Sequence, residues 1–451
     1  MVHTFRRLGS NIAVDTESGA VHVLSPVAYK MLSYIKPPLT QDMPVSLRYS
    51  LAKYDSSGVE EAYEELYSLY ERGELFSDAI PLGDISKALS TRIKSMCLHV
   101  SHDCNMRCRY CFADCGGYVR ERTLMSQKTG KRALDFLIEK SGGVRNLEVD
   151  FFGGEPLLNF DVVREITRYG RELEAKHGKN IRFTLTTNGS LLDDESIDFI
   201  NAEMSNVVLS IDGRQQVNDY MRPFEDGSGS YETIIPKYKK LVERRGDGEY
   251  YVRGTFTRRN LDFATDVLHL VDLGFSAVSV EPVVLPQESE YSIRKEDLPV
   301  IIAEYEKLAL EYIARAKAGR PFTFFHFIID LDGGPCAIKR AKGCGSGCEY
   351  VAVTPDGSIY PCHQFAGEEK FKIGNIFDGV IDENIRNTFA HCNLIENPTC
   401  ADCWAKYYCG GGCAANNFHM EGDIMKPYSI ACELERARVE FALAIKAALA
   451  K

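Results

Sequence analysis

Four cysteines lie close together in the segment HVSHDCNMRCRYCFADCGG, which runs over residues 99–117. Cys104, Cys108 and Cys111 form the pattern C-x3-C-x-Y-C, and Cys115 follows four residues later. Three thiolates on one loop can ligate three irons of a [4Fe–4S] cluster and leave the fourth iron open to a chelating small molecule. A structural zinc site with Cys115 as the fourth ligand is the alternative. Closed zinc sites usually have four ligands that include a C-x2-C pair; the combined x3/x2 spacing and the motifs further along the chain favour the cluster.

A second group of ten cysteines lies between Cys336 and Cys432. Part of it reads C-x12-G-x4-C, from Cys344 through Gly357 to Cys362. The rest reads C-x2-C-x5-C-x3-C-x18-C, and its members are Cys400, Cys403, Cys409, Cys413 and Cys432. A pair of zinc knuckles is the alternative, but this spacing does not match common zinc sites. The second group therefore also predicts iron–sulfur ligation.

Composition limits the classes of function. The chain has 451 residues, fifteen cysteines and a net charge of −11. No signal peptide or apolar run of transmembrane length is visible, so a cytoplasmic protein without a membrane partner is expected. Cysteines in such a protein more often bind metal or react than form disulfides. The negative charge argues against a general nucleic-acid partner.

The elements that must position the first cysteine group alternate between strands and helices over residues 91–290. The strand candidates are MCLHV, LEVDFF, IRFTLTT, NVVLSI, YVRGTF and AVSVEPVV. Six such units predict an α/β fold with a parallel sheet curled into a partial (β/α)6 barrel of the TIM type. Active sites of these folds lie at the carboxyl ends of the strands, directly where Cys104 follows MCLHV.

Four further regions flank this α/β domain. Residues 1–85 predict a winged-helix-like α+β module, with strands over Asn11–Asp15 and Ala20–Leu24 and helices after them. Residues 291–343 predict a helical bridge, residues 344–432 a cysteine-rich domain and residues 433–451 a C-terminal helix.

The C-x3-C-x-Y-C run after the first strand of a (βα)6 pattern resembles the radical S-adenosylmethionine (SAM) superfamily. The resemblance implies that SAM chelates the open iron and that one electron cleaves it to methionine and a 5′-deoxyadenosyl radical. Arg222 matches the arginine that pairs with the SAM carboxylate, and Arg253 is a weaker candidate for this role. The cofactor-binding residues implied by resemblance are Tyr110, Gly153, Gly154, Glu155, Pro156, Thr186, Asn188, Ser210, Asp212, Arg222 and Val284.

The second cysteine group resembles the seven-cysteine pattern of the SPASM domain, which implies two auxiliary [4Fe–4S] clusters and three clusters in total. By resemblance the outer auxiliary cluster is held by Cys400, Cys403, Cys409 and Cys432. The inner auxiliary cluster is held by Cys344, Cys362 and Cys413. Its fourth iron is expected to be open or exchangeable, with Cys348 as the first alternative cap and Cys336 and Cys392 as further candidates.

The string CGSGCEYVAVTPDGSIYPCHQFAG resembles the maturases of six-cysteine peptides, and residues 1–85 resemble the leader-recognition module of peptide-modifying enzymes. The resemblance implies a thioether (sactionine-type) bond in a cysteine-rich precursor peptide whose leader binds the N-terminal module as an added strand. A one-electron donor protein is the second expected partner. Two alternatives remain open: a sulfatase-maturase-like oxidase of Cys or Ser, and an iron–sulfur redox regulator that binds DNA.

Overall fold

The computed structural model describes residues 1–79, 92–116, 118, 122–331, 340–341 and 343–450. The expected ligand candidate Cys336 lies outside these residues. In the described part of the chain, no helix has the length and the apolar character needed to cross a membrane.

The N-terminal module begins with a three-stranded antiparallel sheet, formed by β1 (Val2–Arg7), β2 (Ser10–Asp15) and β3 (Val21–Leu24). Helices α1 (Pro26–Met31), α2 (Val45–Ser50) and α3 (Ser56–Glu71) follow. The sequence predicted the β2–β3 hairpin but not β1. Only Phe5 of β1 is fully buried, so this strand carries little of the alternating pattern that identifies a strand.

The central sheet contains six parallel strands that lie side by side in chain order. They are β4 (Ser95–Ser101), β5 (Asn146–Gly153), β6 (Asn180–Thr187), β7 (Asn206–Ser210), β8 (Glu249–Phe256) and β9 (Ala277–Pro282). The helices between and after them are α4 (Gln127–Ser141), α5 (Phe160–His177), α6 (Asp194–Glu203), α7 (Gln215–Met221), α8 (Tyr231–Arg245), α9 (Phe263–Asp272) and α10 (Leu298–Lys317). The predicted α/β fold with a parallel sheet is confirmed, while closure into a partial barrel stays a prediction.

The cysteine-rich region joins this sheet directly. Strand β10 (Thr323–Phe324) pairs with β9 at one edge. At the other edge β11 (Tyr350–Val353) pairs in parallel with β4, followed by β12 (Ser358–Tyr360) and β13 (Gly374–Asn375). The strand that precedes the first cysteine loop is therefore bonded to the domain that carries the second cysteine group.

Five helices follow strand β13, and three of them contain a cysteine of the second group, namely Cys400, Cys409 and Cys432. They are α11 (Glu383–Ala390), α12 (Pro398–Ala401), α13 (Lys406–Cys409), α14 (Ala414–Glu421) and the long terminal α15 (Ser429–Leu449). Helix α15 begins before Cys432, so the predicted division between residues 432 and 433 falls inside one helix. It packs along α10, and Cys432 lies in its first turn.

The N-terminal sheet docks on the loop between Cys403 and Cys409. Its apolar side chains share a core with Trp404 of that loop and with α15; the residues from the sheet are Phe5, Ile12 and Val14. The ring of His3 stacks on Trp404 with centroids 3.9 Å apart. Buried Glu17 lies 2.8 Å from Lys406 Nζ and accepts a hydrogen bond from the Tyr407 hydroxyl. The N-terminal module therefore packs against the cysteine-rich domain through a shared apolar core and an ion pair.

Glu17→Ala should lower the free energy of unfolding by about 3 kcal/mol, because it leaves the Lys406 ammonium buried without its carboxylate. Urea unfolding of the metal-free protein, followed by circular dichroism, measures the change. Glu60→Ala removes an exposed pair with Arg48 and should cost less than about 1 kcal/mol. Equal urea midpoints for Glu17→Ala and Glu60→Ala would contradict a stabilising role of the Glu17–Lys406 pair.

Candidate functional site

The first cysteine loop is clamped at the carboxyl edge of the sheet by backbone hydrogen bonds. On one side Gly154 N donates to Ser101 O and Glu155 N donates to Asp103 O, each at 2.8 Å. On the other side Arg107 N donates to Pro223 O at 2.8 Å. Segments that follow β5 and α7 therefore hold the loop from both sides.

The three predicted ligands of this loop line one cavity of about 150 Å³, together with Cys115. Burial raises the pKa of Cys104 to about 12 and that of Cys108 to about 11. A buried thiol becomes a thiolate readily only when a positive charge is bound to it, and iron supplies that charge. The backbone N–H of Met106 and the side-chain amide of Asn188 point at the Cys104 sulfur, at 3.5 and 3.7 Å. The donor set fits a metal-bound thiolate.

Cys115 adjoins the ligand set without belonging to the predicted pattern. Its backbone N–H donates to the Cys111 sulfur at 3.2 Å. A hydrogen bond from its thiol to Cys111 raises the pKa of Cys115. Cys115 is therefore placed as a hydrogen-bond donor to a ligand.

The glycine pair after β5 is required by close backbone approach. A Cβ on Gly153, whose φ is +131°, would lie 2.1 Å from Ser101 O, and a Cβ on Gly154 would lie 2.1 Å from Asp103 O. Both glycines line the small cavity. They let the end of β5 pack against the cysteine loop while the peptide backbone faces the ligand space.

Gly154→Ala should displace the cysteine loop and lower the free energy of unfolding by about 3 kcal/mol, because backbone atoms cannot yield to the added methyl group. Iron content after anaerobic reconstitution and the urea midpoint measure the effect. Gly143→Ala, whose Cβ would meet nothing within 4 Å, is the matched control and should retain wild-type iron. Wild-type iron content in Gly154→Ala would contradict this packing argument.

Glu155 and Pro156 are buried in the fold outside both cavities, which the sequence did not indicate. The buried Glu155 carboxylate accepts hydrogen bonds from Leu157 N, from Thr187 Oγ1 and from Asn188 N, at 2.7–3.0 Å. Pro156 begins the short turn before α5 and is buried. Neither residue lines the two cavities at the cysteine groups. Protein donors already occupy the carboxylate, which ties the end of β5 to the end of β6.

Tyr110, Asp212 and Arg222 form one buried hydrogen-bonded chain. The Tyr110 hydroxyl contacts both Asp212 oxygens, at 2.8 and 2.9 Å, and Arg222 Nη1 donates to the same hydroxyl at 3.0 Å. Burial raises the pKa of Asp212 to about 6. Arg222 Nε is buried and has no hydrogen-bond partner among the described residues. An unmatched guanidinium donor beside the ligand cavity fits a bound carboxylate.

The other predicted cofactor residues also face ligand space. Thr186 and Ser210 line both the small cavity and a larger one of about 560 Å³, and Tyr110 and Arg222 do so too. Asn188 lines the small cavity, and Val284 and Arg253 line the large one. Asp212 contributes through Tyr110 and is absent from both linings.

The opposite wall of the large cavity comes from the second cysteine group. Five of its cysteines face this space: Cys400, Cys403, Cys409, Cys413 and Cys432. Burial raises the pKa of Cys400 to about 11 and that of Cys409 to about 12. Because the two cavities share wall residues, the structure brings the two cysteine groups to adjoining spaces.

The predicted inner ligands lie beside one another. Burial raises the pKa of Cys362 to about 12, and the neighbouring Cys413 and Cys344 raise it further. Cys344 is exposed and Cys362 is buried. Of the candidate caps, the Cys348 thiol contacts Arg386 O at 3.7 Å, and the Cys392 thiol contacts Ile424 O at 3.2 Å. Within the described residues, no group of three His, Cys, Asp or Glu side chains is arranged for a single metal ion, so cluster assignments stay proposals.

Sequence reasoning missed a charged group on the large cavity. Glu281 at the end of β9 lies 2.9 Å from His326 Nε2 and 3.8 Å from Arg438 Nη2. Burial would raise the pKa of Glu281, but His326 and Arg438 outweigh it and lower that pKa. The VEPVV motif indicates the end of the strand. It does not indicate the partners of Glu281, because His326 and Arg438 are 45 and 157 residues further along the chain.

Comparisons with known proteins identify two domains. A model of the radical SAM superfamily matches residues 98–258, and a model of the iron-sulfur cluster-binding SPASM domain matches residues 344–404. A cysteine-type anaerobic sulfatase-maturating enzyme of Clostridium novyi is 26% identical over 347 residues, which cover 73% of this chain and 89% of that enzyme.

Two solved structures share the fold. The structure of anSMEcpe with bound AdoMet and Kp18Cys peptide has a TM-score of 0.65 and 20% identity, and covers 79% of this chain and 99% of that one. Streptococcus suis SuiB bound to precursor peptide SuiA has a TM-score of 0.52 and 17% identity, and covers 95% of this chain and 98% of that one. The cysteine pattern, the fold and both domain matches agree: the chain contains a radical SAM domain followed by a SPASM domain.

Proposed function

We propose that this chain is a radical SAM maturase that forms thioether bonds in a cysteine-rich, ribosomally made precursor peptide. The observation that carries the proposal is the large cavity of about 560 Å³, which the radical SAM domain lines on one side and SPASM cysteines line on the other. A peptide in this space would contact both domains at once.

The residues of the small cavity would bind and orient SAM. A cluster held by Cys104, Cys108 and Cys111 would supply the electron that cleaves SAM to methionine and the 5′-deoxyadenosyl radical. The unmatched Arg222 Nε would receive the SAM carboxylate, with Tyr110 and Asp212 holding the guanidinium in place. Other contacts would come from the backbone of the glycine pair, from Thr186 and Ser210 toward the ribose, and from Val284 toward adenine.

The SPASM cysteines would hold two auxiliary clusters. By the SPASM resemblance, four thiolates of the outer cluster would come from Cys400, Cys403, Cys409 and Cys432, and three of the inner cluster from Cys344, Cys362 and Cys413; none of these cysteines forms a disulfide. We assign the fourth inner position to the substrate cysteine, with Cys348 as the alternative cap. A substrate cysteine thiol bound there would lose its proton, and its sulfur would be held beside the carbon radical that hydrogen abstraction by the 5′-deoxyadenosyl radical leaves. The one electron released when the carbon–sulfur bond forms would go to the inner cluster.

The N-terminal module would bind the leader of the precursor. Strand β3 pairs with β2 on one side and forms an edge of the small sheet on the other. An extended peptide can pair with such an edge as an added strand. SuiB, whose structure holds a precursor peptide, matches 95% of this chain. A one-electron donor protein completes the proposed partners.

A second candidate is oxidation of a Cys or Ser side chain, because a cysteine-type sulfatase-maturating enzyme is among the relatives. The two activities leave different products. Thioether formation removes two hydrogens and one free thiol but keeps the sulfur, whereas conversion of cysteine to an aldehyde replaces the sulfur by oxygen.

The deciding experiment incubates the anaerobically reconstituted enzyme with SAM, dithionite and a cysteine-rich precursor peptide, followed by thiol alkylation and tandem mass spectrometry. Loss of two hydrogens, one missing alkylation site and retained sulfur support the thioether. Loss of sulfur with a new hydrazine-reactive carbonyl supports the second candidate. Unchanged peptide from both cysteine and serine substrates would contradict both.

A further inference from the structure

Strand β8 places the side chain of an arginine, Arg253, at the wall of the large cavity. Along β8 the side chains alternate, and Arg253 and Thr255 fall on the face that lines the cavity. The Arg253 side chain is exposed, lines this space and makes no hydrogen bond or ion pair with any residue that the structure describes. Its five N–H donors therefore point into a space that a substrate must fill.

The remaining cationic side chains of the cavity wall have protein partners. Arg222 donates to Tyr110, Arg436 pairs with Glu433 at 2.8 Å, and Lys406 pairs with Glu17. Arg438 donates to the Tyr305 hydroxyl at 2.9 Å. Arg253 is thus the wall cation that the described fold leaves for a ligand.

The nearest carboxylate does not take this role. Glu281 is close enough for Arg253 to help lower its pKa. Its Oε1 already contacts His326 Nε2 at 2.9 Å and the Ser279 hydroxyl at 3.2 Å, and its Oε2 lies 3.8 Å from Arg438 Nη2. Buried Arg438 Nη2 beside it also lacks a hydrogen bond within the described residues. Glu281 therefore contacts His326 and Arg438, and the N–H donors of the Arg253 guanidinium have no acceptor among the described residues.

Arg253 lies outside the small cavity, which Arg222, the predicted partner of the SAM carboxylate, lines. Arg222 lines both cavities and is bonded to Tyr110 beside the cysteine loop, whereas Arg253 lines only the large cavity, which His363 of the SPASM domain also lines. When a peptide displaces water from this space, unpaired donors would cost binding energy unless the peptide supplies acceptors. A carboxylate meets a guanidinium through two parallel hydrogen bonds.

We propose that Arg253 is a specificity-determining residue that binds an acidic side chain of the peptide substrate in the large cavity. The proposal rests on the proposed function, since it requires a peptide in this cavity. An aspartate or glutamate near the modified position would form the bidentate pair, with Arg438 Nη2 as an additional donor.

A randomised library of displayed cysteine-containing peptides tests this role of Arg253. The reconstituted, SAM-loaded protein is the bait, and sequencing of the peptides that it retains gives their Asp and Glu content. We expect Asp and Glu to be enriched by about tenfold over the Arg253→Gln pool, the effect of losing a charge-assisted hydrogen bond. Arg253→Glu should instead enrich Lys and Arg.

Two controls make each outcome decisive. Arg182→Gln, at the opposite end of the sheet and paired with Glu249 on the surface, should retain the wild-type preference. Iron content after reconstitution and the urea unfolding midpoint of Arg253→Gln should equal those of the wild type, which shows that the fold persists. Equal acidic content in the wild-type, Gln and Glu pools would overturn the role of Arg253. Failure of the wild type to retain any peptide would instead overturn the proposed function.

Discussion

The triple variant Cys104/Cys108/Cys111→Ala is expected to produce no 5′-deoxyadenosine from SAM and dithionite under anaerobic conditions. The three thiols share one cavity with the glycine pair and Arg222, so their removal takes away the proposed ligands of the SAM-cleaving cluster. The variant should also contain about four irons fewer than wild type, the content of one [4Fe–4S] cluster. Chromatography of the nucleoside products and iron quantification measure the two effects.

Cys115→Ala is the matched control because Cys115 lines the same cavity and donates to Cys111 without belonging to the ligand pattern. It should keep the full iron content and most of the SAM cleavage. A Cys115→Ala variant that loses iron like the triple variant would make Cys115 a ligand. Undiminished deoxyadenosine from the triple variant, or zinc in place of iron in wild type, would refute the radical SAM assignment.

Local sequence pattern predicted the part of the fold that positions the first cysteine loop. Each of the six expected strands is present, and alternation with helices indicated their parallel order. The pattern worked because buried parallel strands are short apolar runs bounded by turns. Strand β1 was not predicted because it has a single buried residue and therefore no alternating pattern. The pairing of β11 with β4 was not predicted because it joins segments about 250 residues apart in the chain.

The same distinction holds in the candidate site. Cys104 and the glycine pair could be found because their types and spacing are local signals. The bonding of Glu155 to Thr187 and Asn188 could not, since sequence shows a carboxylate near a site but not which donors occupy it. The Glu281–His326 contact likewise joins a strand end to a distant turn. Long-range pairing of polar groups decides which charges remain free for ligands. The sequence marked Arg253 as a candidate, but that its guanidinium has no partner among the described residues is known only from that pairing.

The second large effect should separate SAM cleavage from peptide modification. Cys344/Cys362/Cys413→Ala is expected to abolish the thioether product while 5′-deoxyadenosine still forms. The reason is spatial, because Cys413 faces the large cavity and Cys362 lies next to His363 on its wall, away from the small cavity that holds Cys104. Product is measured as the peptide lacking two hydrogens, and iron should fall by about four.

Cys348→Ala is the informative control for this variant. If the substrate cysteine takes the fourth inner position, Cys348→Ala should retain product and iron, because the buried Cys348 thiol already has the Arg386 carbonyl as a partner. If Cys348 instead caps that position, its removal should alter the spectrum of the inner cluster before peptide is added. A triple variant that still crosslinks at the wild-type rate would show that bond formation needs only the radical, and the SPASM cysteines would then serve the structure of the cavity wall rather than the coupling of sulfur to carbon.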